Sequence, residues 1–387
     1  MSKSRAFLLA TALLAMATFA RAGDDDAAAI AALRARIEQQ AAQVEALRAE
    51  LARLEAKLSS RDAAPAAAAP APAPAPPPAP TVKFGGLLQG WYLAGDEGFS
   101  DTFRIRRAEL KVSGELTKKF GWVVMIDPAK SLTVSSGTVN QATRVLQDAF
   151  ITVAGPHGTT LQLGQYRIPL SREGVEPSAS IDTVERALFL TDRARNGNYG
   201  DVRDIGVSLR GTLAGRYDYQ VGVFNSSGES QNDVDRDDRK AVVGKFVATV
   251  VPGLRLGASG AWGGPEEAGR PRRDRLGGEL LFTRWPLKLA AEVMGGRDGA
   301  LERRGYYAHA GYRFRPRLEG IVRVDAWDPD LSRDGGLAAA EETDYTVGVN
   351  YSVFATLRLQ ANAVHKTFSD DALGERNLLL INLQTWW

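Results

Sequence analysis

The feature that most constrains this fold is a series of short segments of alternating polarity, running from near Val82 to the last residue. Within Arg216 to Phe224, tyrosine and valine side chains alternate with polar or small ones, and Leu379 to Trp387 repeats the pattern. A period of two residues indicates β-strands with one apolar and one polar face. Most of the chain is therefore predicted to form amphipathic strands.

The connections between these segments alternate in length. Seven are short: Thr117 to Phe120, Ala154 to Thr159, Thr212 to Gly215, Pro252-Gly253, Trp285-Pro286, Arg315 to Arg317 and Val353-Phe354. Eight are longer: Gly95 to Asp101, Pro128 to Leu146, Pro169 to Asp201, Asn225 to Asp238, Gly263 to Arg273, Gly295 to Gly305, Asp328 to Glu342 and Thr367 to Asn377. Fifteen connections imply sixteen strands.

An even strand number, alternating long and short connections and one apolar face are typical of a bacterial outer-membrane barrel, in which closure pairs every backbone group. We therefore predict an all-β fold, a 16-stranded antiparallel transmembrane β-barrel over residues 82–387. Sixteen strands enclose more space than side chains fill, which favours a water channel. A water-soluble propeller is the alternative, but its blades do not require alternating loop lengths.

The first 22 residues have the pattern of a secretory signal peptide. Lys3 and Arg5 provide the positive start, Ala6 to Phe19 the apolar stretch, and Ala20-Arg21-Ala22 the small-residue cleavage pattern. A retained membrane anchor fits less well because the apolar stretch is short. We expect an exported protein whose mature chain begins at Gly23.

Residues 23–62 are predicted to form a coiled-coil helix. Between Ile30 and Leu58, apolar residues recur at heptad positions a and d, with Gln40 as the one polar member. Such a helix buries its apolar stripe by self-association, although a surface helix of a globular domain is the alternative. A Pro/Ala-rich linker, residues 63–81, separates it from the barrel. We expect the helix to lie in the periplasm and to contact the cell envelope there.

Composition excludes several classes of function. The chain has no cysteine, and His157, His309 and His365 fall in separate segments, so we predict no metal site, no cofactor and no catalytic triad. The formal net charge is only +2, a balance that argues against nucleic-acid binding. The sequence therefore predicts neither an enzyme nor a nucleic-acid-binding protein.

Several blocks of the barrel region resemble the phosphate-selective porin O/P family. They are Phe103 to Leu110, Leu163 to Leu170, Val184 to Leu188, Asp204 to Val207 with Gly211, Gly222 to Asn225 and the closing strand to Trp387. The resemblance implies passive diffusion through trimeric outer-membrane barrels, a third extracellular loop folded inward, and basic side chains that line an anion-selective constriction. It implies phosphate or a related oxyanion as the solute, and lipid and lipopolysaccharide as the surroundings.

The candidate anion contacts are six arginines: Arg104, Arg106, Arg107, Arg167, Arg172 and Arg186. The alternation of polarity changes phase between Arg106 and Arg107, and a β-bulge there would point both side chains inward. The resemblance assigns Arg167 to the family's basic position before the proline. Arg193 and Arg195 are further candidates in the third long connection. Arginine suits the role because its charge is permanent and its donors replace water around an oxyanion.

Charge totals do not establish anion selectivity, so two alternatives to an anion channel stay open. One is a weakly selective general porin, in which the arginines brace the wall. The other is a barrel that anchors the outer membrane through the Ile30 to Leu58 helix. Trp387 is the candidate assembly signal because a terminal aromatic residue on an outward face resembles the recognition end of such barrels.

Overall fold

The structure is a computed structural model that describes residues 38–39, 42–56, 80–96, 101–131, 145–191, 199–226, 240–263, 271–333 and 336–387. The chain divides into two compact units, Met1–Pro76 and Pro77–Trp387. The predicted signal peptide, the linker segment 63–79 and the seam positions Ile30, Leu33, Ile37, Gln40 and Leu58 lie outside the described residues.

In the first unit, residues 42–56 form helix α1, and residues 38–39 are also helical. Four predicted seam residues on α1 are exposed, with Leu47 at 66% and Leu51 at 61%. Val44 and Leu54 are exposed to similar extents. The stripe therefore has no partner within the described chain. No described helix combines the length and the apolar character needed to span a membrane.

The second unit is a closed barrel of sixteen antiparallel strands in which each strand pairs with its neighbours in sequence and β1 pairs with β16. The predicted strand number and barrel closure are confirmed. The strands are β1 (Thr81–Gly95), β2 (Thr102–Thr117), β3 (Phe120–Ile126), β4 (Leu146–Ala154), β5 (Thr160–Arg167), β6 (Arg203–Leu213), β7 (Tyr217–Phe224), β8 (Ala241–Val251), β9 (Leu254–Trp262), β10 (Arg273–Arg284), β11 (Leu287–Asp298), β12 (Leu301–Arg315), β13 (Leu318–Asp328), β14 (Glu342–Phe354), β15 (Leu357–Phe368) and β16 (Arg376–Trp386).

Short helices occupy some of the connections. The α-helix α2 spans Arg172–Val175. The 3-10 helices span Pro128–Ser131, Pro156–Gly158, Ser178–Ser180, Leu188–Leu190, Gly336–Ala339 and Asp371–Leu373.

The two faces of each strand have opposite character, as β16 illustrates. Asn382 and Gln384 are buried toward the lumen, whereas Leu379 and Leu383 on the alternate positions are exposed on the outer surface. Because lipid tails cannot hydrogen-bond, a barrel in a membrane needs this apolar outer band. The period-two pattern in the sequence therefore encodes which side of each strand meets lipid.

Two predicted connections differ from the structure. Val353-Phe354 was predicted as a turn, but these residues end β14, and the turn is formed by Ala355 and Thr356. Gly295 to Gly305 was predicted as a long loop, but β11 continues to Asp298 and β12 begins at Leu301. The connection is a turn of Gly299 and Ala300, with Gly299 at a φ of 60°. The charged residues Arg297 and Glu302 make this part of the sequence look like a loop. In the structure they lie opposite each other on β11 and β12 and form an ion pair across the turn.

Candidate pore constriction

The longest described connection lies between β5 and β6 and crosses the inside of the barrel. We call its described residues, 168–191 and 199–202, the inner segment. Its backbone accepts hydrogen bonds from strands on the far wall: Asn350 donates to the Asp182 carbonyl, Gln360 to the Ile181 carbonyl and Gln384 to the Ala179 carbonyl. The inward fold of the third long connection, expected from the family resemblance, is therefore present.

An apolar cluster holds the inner segment against one half of the barrel wall. Leu170 and Phe189 of the segment are fully buried, and they belong to the same cluster as Phe224, Met294 and Trp327 on the strands. Removing this much apolar surface from water supplies the main non-directional attraction for the fold of the segment. On this side the lumen is filled like the core of a soluble domain.

A buried ion pair fixes the start of the segment to β13. The Arg323 guanidinium donates to Glu173 Oε1 at 2.9 Å and to Glu173 Oε2 at 3.2 Å, and it also donates to Asp325 Oδ2 at 2.7 Å. Its central carbon lies 4.0 Å from the centre of the Tyr307 ring. Burial raises the pKa of a carboxyl, but the Arg323 charge outweighs this effect and lowers the pKa of Glu173 to about 2.

Arg172 ties the segment to β11 and β12. Its side chain donates to the Tyr307 hydroxyl at 2.8 Å and to Glu176 Oε2 at 2.6 Å, and its backbone N–H donates to Glu292 Oε1 at 2.6 Å. Burial opposes the charged form, but Tyr307 and Glu176 raise the pKa of Arg172 above its ordinary value. Arg172 thus stays charged while it holds α2 against the wall.

Arg167 and Arg186 both pair with Asp201, at 3.3 Å and 3.2 Å. Both also donate to the Glu176 carbonyl, and Arg186 donates further to the Glu173 carbonyl. Burial favours a neutral carboxyl, yet the two guanidinium groups lower the pKa of Asp201 far below its usual range. Both predicted arginines therefore bond to residues of the inner segment itself, and Arg186 is only 5% exposed.

The three arginines of β2 are positioned by an irregularity in the pairing of that strand with β1. The register between β1 and β2 shifts at Gln89/Gly90, so that Arg106 is the extra residue between Arg107 and Ile105. This is the β-bulge that the change of phase predicted, and it lets consecutive side chains serve one face. Arg104, Arg106 and Arg107 all line the same cavity.

The bulge arginines have partners of mixed character. Arg107 donates to Gln89 Oε1 at 2.7 Å and lies 3.8 Å from Glu109. Arg106 lies 5.2 Å from the centre of the Trp91 ring and 4.0 Å from a carboxylate oxygen of Glu185 on the inner segment. Both long contacts are looser than a direct hydrogen bond, so the guanidinium groups retain donors on the cavity side.

Two cavities lie on opposite ends of the inner segment. The outer cavity, about 670 Å³, opens near the long connections and is bordered by the β2 arginines and by Glu185 and Arg186. The inner cavity, about 610 Å³, lies near the short turns and is bordered by Arg172, Glu176 and Arg210. The segment thus narrows the lumen between two water-accessible vestibules.

Glu173 and Arg323 are the residues that reasoning from the sequence missed. Glu173 is one of six acidic residues of the third long connection, and Arg323 alternates with valines on an ordinary strand, so neither residue stands out in the sequence. One signal was available: a charged residue at an inward position of a strand requires a partner when it is buried. Arg193 and Arg195 lie outside the described residues.

Comparison with known proteins supports this architecture. The sequence model of the family described as Phosphate-selective porin O and P matches residues 92–270. In this segment the chain is similar to that porin family. The matched segment includes the β-bulge of β2 and the whole inner segment, so the resemblance expected from the sequence is confirmed. No curated protein matches the sequence of this chain.

Solved structures of other porins share the fold. The anion-selective porin from Comamonas acidovorans aligns with a TM-score of 0.55 at 12% identity, covering 80% of this chain and 100% of that one. The trimer form of OmpT from Vibrio cholerae aligns with a TM-score of 0.55 at 12% identity, and the alignment covers 80% of this chain and 100% of that one. The outer-membrane channel DcaP of Acinetobacter baumannii aligns with a TM-score of 0.52 at 12% identity, and the alignment covers 80% of this chain and 97% of that one. At this identity the likeness concerns the fold.

Family and fold together are those of outer-membrane channel proteins, and not those of enzymes. The chain therefore has the architecture of an outer-membrane channel, narrowed by its own inner segment.

Proposed function

We propose that this porin is a passive outer-membrane channel for small anions, with phosphate or related oxyanions as the leading solutes. The observation that carries the proposal is the row Arg104, Arg106 and Arg107, three positive side chains on one strand that border the outer cavity. In a narrow passage with low-dielectric walls, a few fixed charges dominate over distant balanced ones.

The remaining predicted arginines act on the solute less directly. Arg167, Arg172 and Arg186 bond to backbone carbonyls, carboxylates and a tyrosine hydroxyl of the protein itself. We propose that they hold the inner segment in position, while the β2 arginines meet the solute. Conduction also requires binding that is weak enough for release. The 4.0 Å separation of Arg106 from Glu185 fits that requirement, because a solute oxyanion competes with a loose partner.

Reversal potential in a potassium chloride gradient tests the proposal. We expect the folded wild-type channel to be anion-selective and the Arg106→Ala/Arg107→Ala variant to shift the zero-current potential toward cations. The matched control is Arg210→Ala, which removes an arginine from the inner cavity and is expected to shift the potential less. An unchanged permeability ratio in the double variant would leave a weakly selective general porin as the better description.

The assembly and its surroundings form part of the same proposal. We propose a homotrimer in contact with lipid and lipopolysaccharide, with α1 in the periplasm, where the predicted seam from Ile30 to Leu58 joins the copies or contacts the cell envelope. The exposed apolar stripe of α1 and the trimeric form of the OmpT neighbour support it. An anchoring role through this helix is compatible with conduction. A barrel that serves only as an anchor would give no stable open channel in planar bilayers.

A further inference from the structure

The inner faces of β1, β15 and β16 change character along their length. Toward the short turns they carry buried amides, Gln89 on β1, Gln360 on β15 and Gln384 on β16. Toward the long connections the same inner faces carry an apolar strip, which we define as Leu93, Val364, Leu378 and Leu380. Leu93 lies opposite Leu380, and Val364 lies opposite Leu378, so the strip is continuous across three strands.

Docking of the inner segment explains only part of this strip. Val184 packs into a cluster with Trp91, Val364 and Leu380, which are all buried. Leu93 and Leu378 lie at the edge of that cluster, half-buried, and border the outer cavity. Apolar side chains that line a water-filled lumen are costly unless something covers them. The cavity therefore has an apolar wall that the described residues do not fully cover.

A basic wall stands next to the apolar one. Thr102 of β2 lies opposite Leu93, and Arg104 lies opposite Trp91. The basic residues of β2 therefore begin two residues beyond the position that faces Leu93 of the strip. Arg106, the extra residue of the bulge, comes next, and its guanidinium carbon lies 5.2 Å from the centre of the Trp91 ring. The cavity of about 670 Å³ is large enough for a small organic molecule that contacts both walls at once.

We propose that the outer cavity binds organic monocarboxylates with an apolar body, whose carboxylate contacts Arg104 and Arg106 while the body covers the strip at Leu93 and Leu378. This inference rests on the proposed anion channel and adds a class of organic anions to the solutes that the channel binds. An inorganic oxyanion is satisfied by the guanidinium groups alone and leaves the strip in water. An aromatic carboxylate gains from both walls, because it also removes apolar surface from water.

Benzoate and acetate are suitable probes, since both carry one carboxylate and differ in the apolar body. Each is titrated against the chloride current of the folded porin in planar bilayers, and the half-blocking concentration is compared. We expect benzoate to block at roughly tenfold lower concentration than acetate, because covering the strip adds a hydrophobic contribution. Equal half-blocking concentrations, with anion selectivity intact, would overturn the site.

Variants locate the effect. Leu93→Gln/Leu378→Gln is expected to abolish the preference for benzoate, and Leu93→Ala/Leu378→Ala to reduce it while keeping the barrel wall apolar. Heat-modifiable migration on gels establishes that each variant is folded. The matched control is Leu281→Gln, an apolar residue of the inner cavity. An equal loss of preference in the Leu281 variant would overturn the location.

The same bilayer separates failure of this inference from failure of the proposed function. Cation selectivity of the wild-type channel in potassium chloride would contradict the proposed anion channel itself. Anion selectivity without discrimination between the two carboxylates would contradict only the organic-anion site.

Discussion

Trp387, the last residue of the chain, pairs with Gly86 of the first strand through two backbone hydrogen bonds. Gly86 N–H donates to the Trp387 carbonyl at 3.2 Å, and Trp387 N–H donates to the Gly86 carbonyl at 3.3 Å. A side chain at Gly86 would collide with the Trp387 ring and with the Glu109 carbonyl. The glycine therefore makes room for the terminal indole on the outer surface, where it is 59% exposed.

Deleting Trp387 is expected to reduce the yield of folded barrel, because both closing hydrogen bonds and the terminal aromatic group are lost together. The measurement is the fraction of heat-modifiable barrel in the outer membrane. Trp285→Ala is the control, since it removes another exposed tryptophan away from the closing pair. An unchanged yield after the deletion would remove Trp387 from assembly.

Replacing Arg323 by leucine is expected to detach the start of the inner segment. The substitution leaves the Glu173 carboxylate buried without its main partner, a loss of about 3–5 kcal/mol for a pair of this kind. We expect larger and noisier single-channel currents from a folded barrel. The double variant Arg323→Leu/Glu173→Leu is expected to recover part of the loss, because only Asp325, and not Glu173 as well, then lacks the Arg323 guanidinium. Currents identical to wild type in the single variant would contradict the bracing role.

Acid is expected to weaken the same attachment over a defined range. The folded-state pKa of Glu173, about 2, lies below its ordinary value of 4.5. A carboxyl whose pKa is lowered by folding contributes its full stabilisation when the pH is above its ordinary pKa. This contribution is lost as the pH falls through the folded-state pKa. Docking of the segment should therefore weaken progressively from pH 4.5 toward pH 2.

Single-channel current measured from pH 6 down to about pH 2 tests this dependence, because that range runs from above the ordinary pKa of the carboxyl to its folded-state value. In Glu173→Gln the acid-induced change should shrink, because the amide has no proton to gain. Asp218→Asn, a carboxyl near the short turns, serves as the control. An identical pH profile in wild type and Glu173→Gln would rule out this residue as the titrating group.

Charge introduced into the α1 stripe is expected to weaken the oligomer. In full-length protein, Leu47→Asp/Leu54→Asp places carboxylates on the seam and opposes burial of the stripe. Chemical crosslinking and the temperature of oligomer dissociation are the measurements. Arg48→Ala is the control, because Arg48 lies off the seam and pairs with Glu45 of its own helix. No change in the seam variant would remove α1 from assembly.

The parts of this fold that the sequence predicts are the ones with a local signal. Strand number follows from period two, and the bulge at Arg106 follows from a change of phase within five residues of Phe103. The Glu173–Arg323 pair joins residues 150 positions apart, and no spacing in the sequence connects them. The turn at Gly299 was missed because its glycines and charges resemble a loop, while the pairing of β11 with β12 is a tertiary property.

The apolar cluster beneath the inner segment limits how this porin can be re-engineered. Excising the segment would not produce a wider, clean passage, because Phe224, Met294 and Trp327 would then face water across an empty half of the lumen. The strands there carry side chains suited to a solid interior. Shortening the inner segment would therefore expose apolar wall residues and favour collapse of the lumen or aggregation of the protein. A wider channel would also require polar substitutions at those wall positions.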